Sequence, residues 1–426
     1  MRTALLLALT TAVAWADEPK LIDAPKPPDG FPRFKVQEID TGLKIGYAVI
    51  TADIDGDQMP DIVVVDQHKV VWYQNPTWKK RTILDGKTKP DNVCVTAIDI
   101  DGDKLPELVL GAGWRPADTK TPGTLQWLKR GKTLDDEWTM HPIPCDEPTV
   151  HRVKVADLDG DGKLEIIMAP LQGRDATAKG NWTDGRPVRI LAYKVPTQYP
   201  EKAENWKPEV ISEELHVVHN FDVPSRFRMY KDGNRTEYDL LVASYEGVTH
   251  YDSQVRMKPE RERSRNGDQA NPKGSRGSSE ITAARVKNWP RFNWVATIEP
   301  WHGNSVVFYL SENAWSCTRT VLDNQLRWGH AIKFADLTGD GIPELIVGVR
   351  DNPDPKQGDT FTEKRGVRLY RSPDGKGEKW ERYILEVGGV AVEDLTVADL
   401  NGDGKPDIVA VGRATGNARI YWNQGR

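Results

Sequence analysis

Short apolar runs recur along this chain, and each is entered through a cluster of acidic residues. The runs IVVV, LVLG, IIMA, LIVG and IVAV begin at Ile62, Leu108, Ile166, Leu345 and Ile408. They are rich in β-branched residues and too short for helices, so they predict buried strands. After a variable loop comes a second run that closes on aromatics: VVWY, LQWL, ILAY, VRLY and RIYW. A Trp then leads a further strand, as at residues 78–83, 138–143 and 380–384. With the strand before each acidic cluster, this makes four antiparallel strands, A to D, in a repeat the size of a propeller blade.

The acidic clusters share one gapless pattern. Asp53, Asp55 and Asp57 are followed by Asp61; Asp99, Asp101 and Asp103 by Glu107; and Asp157, Asp159 and Asp161 by Glu165. Two more copies are Asp336, Thr338 and Asp340 with Glu344, and Asp399, Asn401 and Asp403 with Asp407. Oxygens at alternate positions of such a loop, a backbone carbonyl and a closing carboxylate can wrap one Ca²⁺. The glycine in the middle permits the tight turn. A plain Asx-turn hairpin is the alternative, but clustered carboxylates repel unless a cation neutralises them. The expectation is up to five structural calcium ions, weakest at Thr338, where a hydroxyl replaces a carboxylate.

This pattern resembles the FG-GAP/VCBS repeats of integrin α-subunit propellers and of many secreted bacterial proteins. The resemblance implies a β-propeller over nearly the whole mature chain and leaves function open. Spacing supplies the blade count. The first aspartates are 46, 58, 179 and 63 residues apart, so the long gap should hide two blades without acidic loops. Residues 238–251 and 293–310 read as their B and C strands, with 315–322 as a D strand, for a total of seven. The last repeat stops at Trp422 without a D strand, and residues 34–39 have the missing pattern. An N-terminal strand should therefore complete the last blade and remove an exposed edge. Residues 258–279 would be a mobile insertion. The predicted fold is all-β: one seven-bladed propeller of four-stranded antiparallel blades over residues 17–426.

Composition and termini add limits. Arg2, the apolar run 4–13 and Ala14-Trp15-Ala16 read as a signal peptide, residues 1–16, which predicts a secreted or periplasmic protein. A buried N-terminal helix is the alternative. No other segment approaches the ~20 apolar residues of a membrane span. The net charge of −5 offers no basic field for nucleic acid. Three cysteines allow at most one disulfide. Fifteen tryptophans are expected mainly in strand cores, with sugar-binding surfaces as the second use.

The acidic loops join A to B, so the entry to strand A lies at the opposite mouth, where a ligand site would sit. Six residues before each loop's first position stand Tyr47, Val93, His151, His330 and Glu393. Aligning the two degenerate blades at Asp222 and Val286 adds His216 and Glu280. Three His and two Glu thus share one position in seven blades. His219 lies on the same strand as His216, and His302 lies in a B–C loop on the same face. Such a set can bind a divalent metal or act as acid and base; hydrogen bonding between blades is the alternative. The B–C loops 111–123, 170–187 and 350–365 would wall the pocket and bring Arg115, Arg174 and Arg350.

Thr149-Val150-His151-Arg152, His216-Val217-Val218-His219, Glu299-Pro300-Trp301-His302-Gly303-Asn304 and Gly329-His330 resemble segments of the propeller domain of the fungal aldos-2-ulose (1,5-anhydrofructose) dehydratase family. That resemblance implies elimination of water from a keto-sugar at the His-lined mouth. The family carries cupin domains after its propeller; this chain stops at Arg426, so their isomerase step is not expected. The leading reading is a lyase. Zn²⁺, Mg²⁺ or Mn²⁺ held by some of His151, His216, His219 and His302 would activate the carbonyl. A neutral His or Glu280 would be the base and His330 the acid. A non-catalytic propeller binding a glycan or protein is the chief alternative, and a metal-assisted hydrolase the third.

Overall fold

The computed structural model describes residues 21–230, 233–251, 267–268, 275–286, 293–311, 317–350 and 365–426. The predicted signal peptide and most of 258–279 lie outside the described residues. The chain forms a seven-bladed β-propeller, and in blade one strands Ala48–Ala52, Asp61–Val65, Lys69–Gln74 and Lys79–Asp85 pair in order. The A strands lie innermost and touch their successors around the axis.

The hydrophobic pattern explains this layering. Every residue of Asp61–Val65, Glu107–Ala112, Glu165–Pro170, Glu344–Val349 and Asp407–Gly412 is buried, because each B strand is sandwiched between two neighbouring blades. Their side chains join those of the next blade in shared apolar clusters, as Val63 and Val65 do with Leu108 and Leu110. Trp72, Trp127, Trp206 and Trp294 are fully buried, in keeping with their predicted core use.

Ring closure follows the expected route. Phe34–Asp40 pairs antiparallel with Ala418–Asn423 and supplies the outer strand of the last blade. A two-residue strand, Ile22–Asp23, adds outside it. The first degenerate blade has B and C strands at Leu240–Ser244 and Gly247–Tyr251. The second has Trp294–Glu299, Ser305–Ser311 and Cys317–Asp323. All three cysteines are free.

One expectation is corrected in blade four. Its A strand is Asn220–Asp222, and an extra hairpin, Ser225–Tyr230 with Gly233–Tyr238, replaces the acidic loop before strand B. Asp222 pairs with Leu241 inside the sheet, the register place that Ile50 has opposite Val63 in blade one. Asp222 is thus three residues short of a loop's first position. The count back from it lands on the wrong histidine.

Candidate active site

Register identifies the ring of residues at the mouth. Ala48, Cys94, Arg152, Asn220, Ile281, Ala331 and Asp394 pair with Val65, Gly111, Ala169, Ala243, Thr297, Gly348 and Val411. The residues just before them are Tyr47, Val93, His151, His219, Glu280, His330 and Glu393. In blades three, six and seven this residue sits in a register shift. Such a bulge re-aims a side chain, here toward the axis instead of into the blade. His219 takes the place expected for His216. His216 is instead held by Glu246, whose carboxylate meets its Nδ1 at 2.8 Å and its backbone N–H at 3.0 Å.

A pocket of about 190 Å³ is lined by Tyr47, Trp114, His151, His219, His302 and His330, together with Trp301, Arg152, Arg350, Arg413 and Glu393. The His219 ring centre lies 4.8 Å from His151, 4.7 Å from His302 and 5.0 Å from His330. The Nε2 atoms of His219 and His302 are 2.9 Å apart. One ring nitrogen each from His219, His302 and His330 fall within 4.8 Å of one another. His219 Nδ1 lies 2.7 Å from Glu280 Oε1, though out of line for a good hydrogen bond.

The backbone is strained where it presents these rings. Thr149, Val217 and Trp328 have φ of 46°, 49° and 54°, each two residues before a cluster histidine, and His302 itself has φ 49°. Left-handed backbone at β-branched or bulky residues costs ~1–3 kcal/mol each and collects at functional sites. Glycine alone fits after His302, since a Cβ on Gly303 would stand 2.0 Å from the Glu299 carbonyl oxygen. Glu299, at the foot of that loop, is fully buried and accepts from Tyr309, Thr297 and Arg319 at 2.7, 2.8 and 2.6 Å. The His302 loop is thereby anchored.

Burial disfavours the imidazolium form of all four histidines, and nearby guanidinium groups add to the effect. Arg152 acts on His151 and His219, and Arg350 on His219, His302 and His330. Their pKa values fall well below the usual range, so the rings are neutral at neutral pH. Burial raises the pKa of Glu280, against the pull of Arg152 and a hydrogen bond from Asn220. Burial would also raise Glu393, but Arg350 and Arg413 outweigh it and hold that carboxyl below its ordinary range. They donate to its two oxygens at 2.9 and 2.8 Å. Arg350 also stands 5.2 Å from the Trp328 ring, which stacks on His302 at 5.5 Å.

Among the predicted wall residues, Arg350 lines the pocket. Arg115 instead pairs with Asp118 at 3.5 Å, and Arg174 donates to the Lys120 carbonyl at 3.1 Å. Residues 351–364 lie outside the described residues. Trp114 and Arg413 carry no assignment in the sequence reading, and Arg152 and Trp301 enter it only inside the segments that resemble the dehydratase propeller, without a role of their own. Arg350 and Arg413 had a signal, since each follows its B strand at the same place, in ELIVGVR and DIVAVGR.

The acidic loops occupy the opposite face. Ligand oxygens of Asp53, Asp55 and Asp57, of Asp99, Asp101 and Glu107, and of Asp157, Asp159 and Glu165 gather within 4.8 Å in each loop. The ninth position has two uses. Asp61 accepts backbone N–H groups from Ile54 and Asn75 on its two oxygens, and Asp407 does so from Leu400 and Asn423. Glu165 accepts from Leu158 on one oxygen, and its other is buried without a partner. Burial pushes the Glu165 pKa up to about 7, with the neighbouring aspartates adding. In the other loops Asp340 pairs with Arg426 at 2.7 Å and Asp403 with Lys405 at 2.9 Å.

Comparison with known proteins bears on the fold and on its middle blades. A family profile described as the aldos-2-ulose dehydratase β-propeller domain matches residues 122–312, which include His151, His219, Glu280 and His302. An FG-GAP-like repeat profile matches residues 53–110 and 360–410. Aldos-2-ulose dehydratase of Phanerodontia chrysosporium is 23% identical over 315 residues, 68% of this chain and 31% of that protein. The chain thus spans under a third of that relative's length. Among solved structures, a chain from the complex of BBS1N with ARL6DN aligns over 93% of this chain and 96% of its own, at TM-score 0.54 and 13% identity. A chain of the mitotic checkpoint complex aligns over 100% and 98%, at TM-score 0.55 and 9% identity. At such identities these likenesses show the fold alone. The chain is a seven-bladed β-propeller that carries FG-GAP-like repeats and whose middle blades resemble the propeller domain of aldos-2-ulose dehydratase.

Proposed function

We propose that this propeller is a carbon–oxygen lyase that eliminates water or an alkoxide from a keto-sugar in the axial His pocket. The observation that carries it is the convergence of four neutral histidines, each presented by strained backbone, in a pocket walled by aromatic rings. The likeness of residues 122–312 to a dehydratase propeller gives the reaction class.

Of the divalent ions Zn²⁺, Mn²⁺ and Mg²⁺, the donor set fits Zn²⁺ best, because three imidazole nitrogens suit zinc whereas Mg²⁺ and Mn²⁺ favour oxygen ligands. His219, His302 and His330 would hold it, being neutral and close together, and Glu280 beside His219 Nδ1 is the carboxylate that commonly orients a ligating imidazole. Such an ion would polarise the keto oxygen and acidify the neighbouring C–H. His151 stands beside this trio and donates Nδ1–H to the His219 carbonyl at 2.9 Å, so its Nε2 is free to take a proton. Tyr47, Trp114 and Trp301 offer faces for a sugar ring, and Arg152, Arg350 and Arg413 suit its oxygens. Glu393, saturated by two guanidiniums, anchors Arg350 and Arg413 rather than moving protons.

The acidic loops belong to this reading as calcium sites that stiffen the blades, in a protein exported by its N-terminal signal. The partnerless oxygen of Glu165 supports the calcium assignment. The aromatic walls would equally serve a propeller that only binds a glycan, so the test must read chemistry. Wild-type protein incubated with 1,5-anhydrofructose or a 3-keto-glycoside should develop enone absorbance, and metal analysis should find one non-calcium ion that His302→Ala loses. Binding of either sugar without enone would favour the binding module and end the lyase reading.

A further inference from the structure

We propose that Tyr47 is the general acid of this elimination, protonating the oxygen that departs. The assignment rests on the lyase reading above. An elimination needs one group to take the proton beside the keto carbon and another to protonate the leaving oxygen.

Hydrogen bonding sorts the pocket's side chains. His151 Nδ1 lies 2.9 Å from the His219 carbonyl oxygen, and His330 Nδ1 lies 2.6 Å from the Glu393 carbonyl oxygen. A carbonyl only accepts, so both rings carry their proton on Nδ1 and present a lone pair at Nε2. His219 Nδ1 lies 2.7 Å from Glu280 but out of line for a good hydrogen bond, and its Nε2 meets His302 Nε2 at 2.9 Å. Glu393 accepts from Arg350 and Arg413, and guanidiniums do not give up protons. The partnerless indole N–H groups of Trp114 and Trp301 are far too weak as acids and the guanidiniums keep their protons, so among the described lining residues the Tyr47 phenol is the acid that remains.

Tyr47 is also well placed. It holds in blade one the ring position that His151 holds in blade three. The Trp114 indole lies 6.1 Å from the Tyr47 ring and 6.0 Å from the His151 ring. A sugar stacked on Trp114 therefore has the His151 base and the Tyr47 phenol as its neighbours. Burial raises the Tyr47 pKa to about 12, against the pull of Arg413, so the phenol is protonated at neutral pH. The Arg413 guanidinium, 5.1 Å from the Tyr47 ring, stabilises the phenolate left when the proton moves.

The step balances without a further reactant. His151 Nε2 takes the proton from the carbon beside the carbonyl, and that electron pair becomes the new C=C bond. The C–O bond on the next carbon breaks with its pair on oxygen, and the Tyr47 proton completes water or an alcohol. His151 then loses its proton to solvent and the phenolate regains one.

The test compares wild type with Tyr47→Phe on methyl and 4-nitrophenyl 3-keto-β-glucosides, and follows exchange of the C2 hydrogen in D2O by NMR. The variant should eliminate methanol about 10²–10⁴-fold more slowly but nitrophenolate, which needs no acid, less than about tenfold more slowly. Its C2 exchange should match wild type, which also shows that the pocket is intact. Equal losses on both leaving groups, or no loss on the methyl glycoside, would overturn the assignment. If wild type neither eliminates nor exchanges, the lyase reading fails and the acid assignment goes with it.

Discussion

Replacing Glu393 by Gln should destabilise the propeller by about 3 kcal/mol and loosen the wall behind His302. Glu393 is 4% exposed and Arg350 5%, so that pair is buried on both sides. Leaving one buried charge without its partner costs ~3–5 kcal/mol. The Arg413 side chain is 25% exposed, and solvent limits its share to under ~1 kcal/mol. The amide keeps one acceptor oxygen, which places the sum near the lower end. With an unfolding entropy of ~2.1 cal/mol/K per residue over about 400 residues, the melting temperature should fall by roughly 3–4 °C. The double variant Glu393→Gln/Arg350→Met should recover part of the loss, because removing both charges leaves nothing unpaired. The sign of the pH dependence follows from the depressed native pKa of Glu393. Its contribution is fully present above the ordinary glutamate value of ~4.3 and is lost as pH falls through the lower native value. Melting curves at neutral and acid pH read both effects. A variant that melts with wild type at pH 7, or a double variant worse than the single, would refute the reasoning.

Two further outcomes follow from the same geometry. Glu165→Gln should lower the bound calcium measured by titration calorimetry, whereas Asp61→Asn, which disturbs a fully bonded backbone bridge, should cost ~1–3 kcal/mol in denaturant unfolding while retaining its loop's calcium. In metal-free protein the four buried histidines have native pKa values below the ordinary ~6.5, so unfolding takes up protons as pH falls below that value. Stability should then drop by ~1.4 kcal/mol per pH unit for each ring, and His302→Ala should flatten the slope in chemical denaturation at pH 6.5 and below.

The blades were legible because local chemistry repeats. Five loops with one spacing, each feeding a strand buried on both faces, leave little choice of register. The Phe34–Asp40 closure could be read because the last repeat lacked a partner for its aromatic strand. Blade four was misread because Asp222 imitates a loop aspartate, while the hairpin that displaces the loop carries only a short alternation, Phe227 and Met229 alternating with arginines, and none in its second strand. Only pairing of Asp222 with Leu241 reveals the slip from His219 to His216. The His and Glu set was visible as a concentration at one strand position. Its electrostatics were not, because Arg152, Arg350 and Arg413 converge from three blades and their effect depends on burial. Trp114 and Trp301 could not be told from the core tryptophans, since composition does not say which aromatic faces a cavity.

The central claim is that the axial cluster carries the chemistry, and His219 against His216 tests it most directly. Both lie in one short segment, yet His219 touches three other histidines and His216 meets Glu246 outside the pocket. Enone formation from a 3-keto-glycoside should be abolished in His219→Ala and preserved in His216→Ala. Loss in His216→Ala with activity retained in His219→Ala would contradict the account.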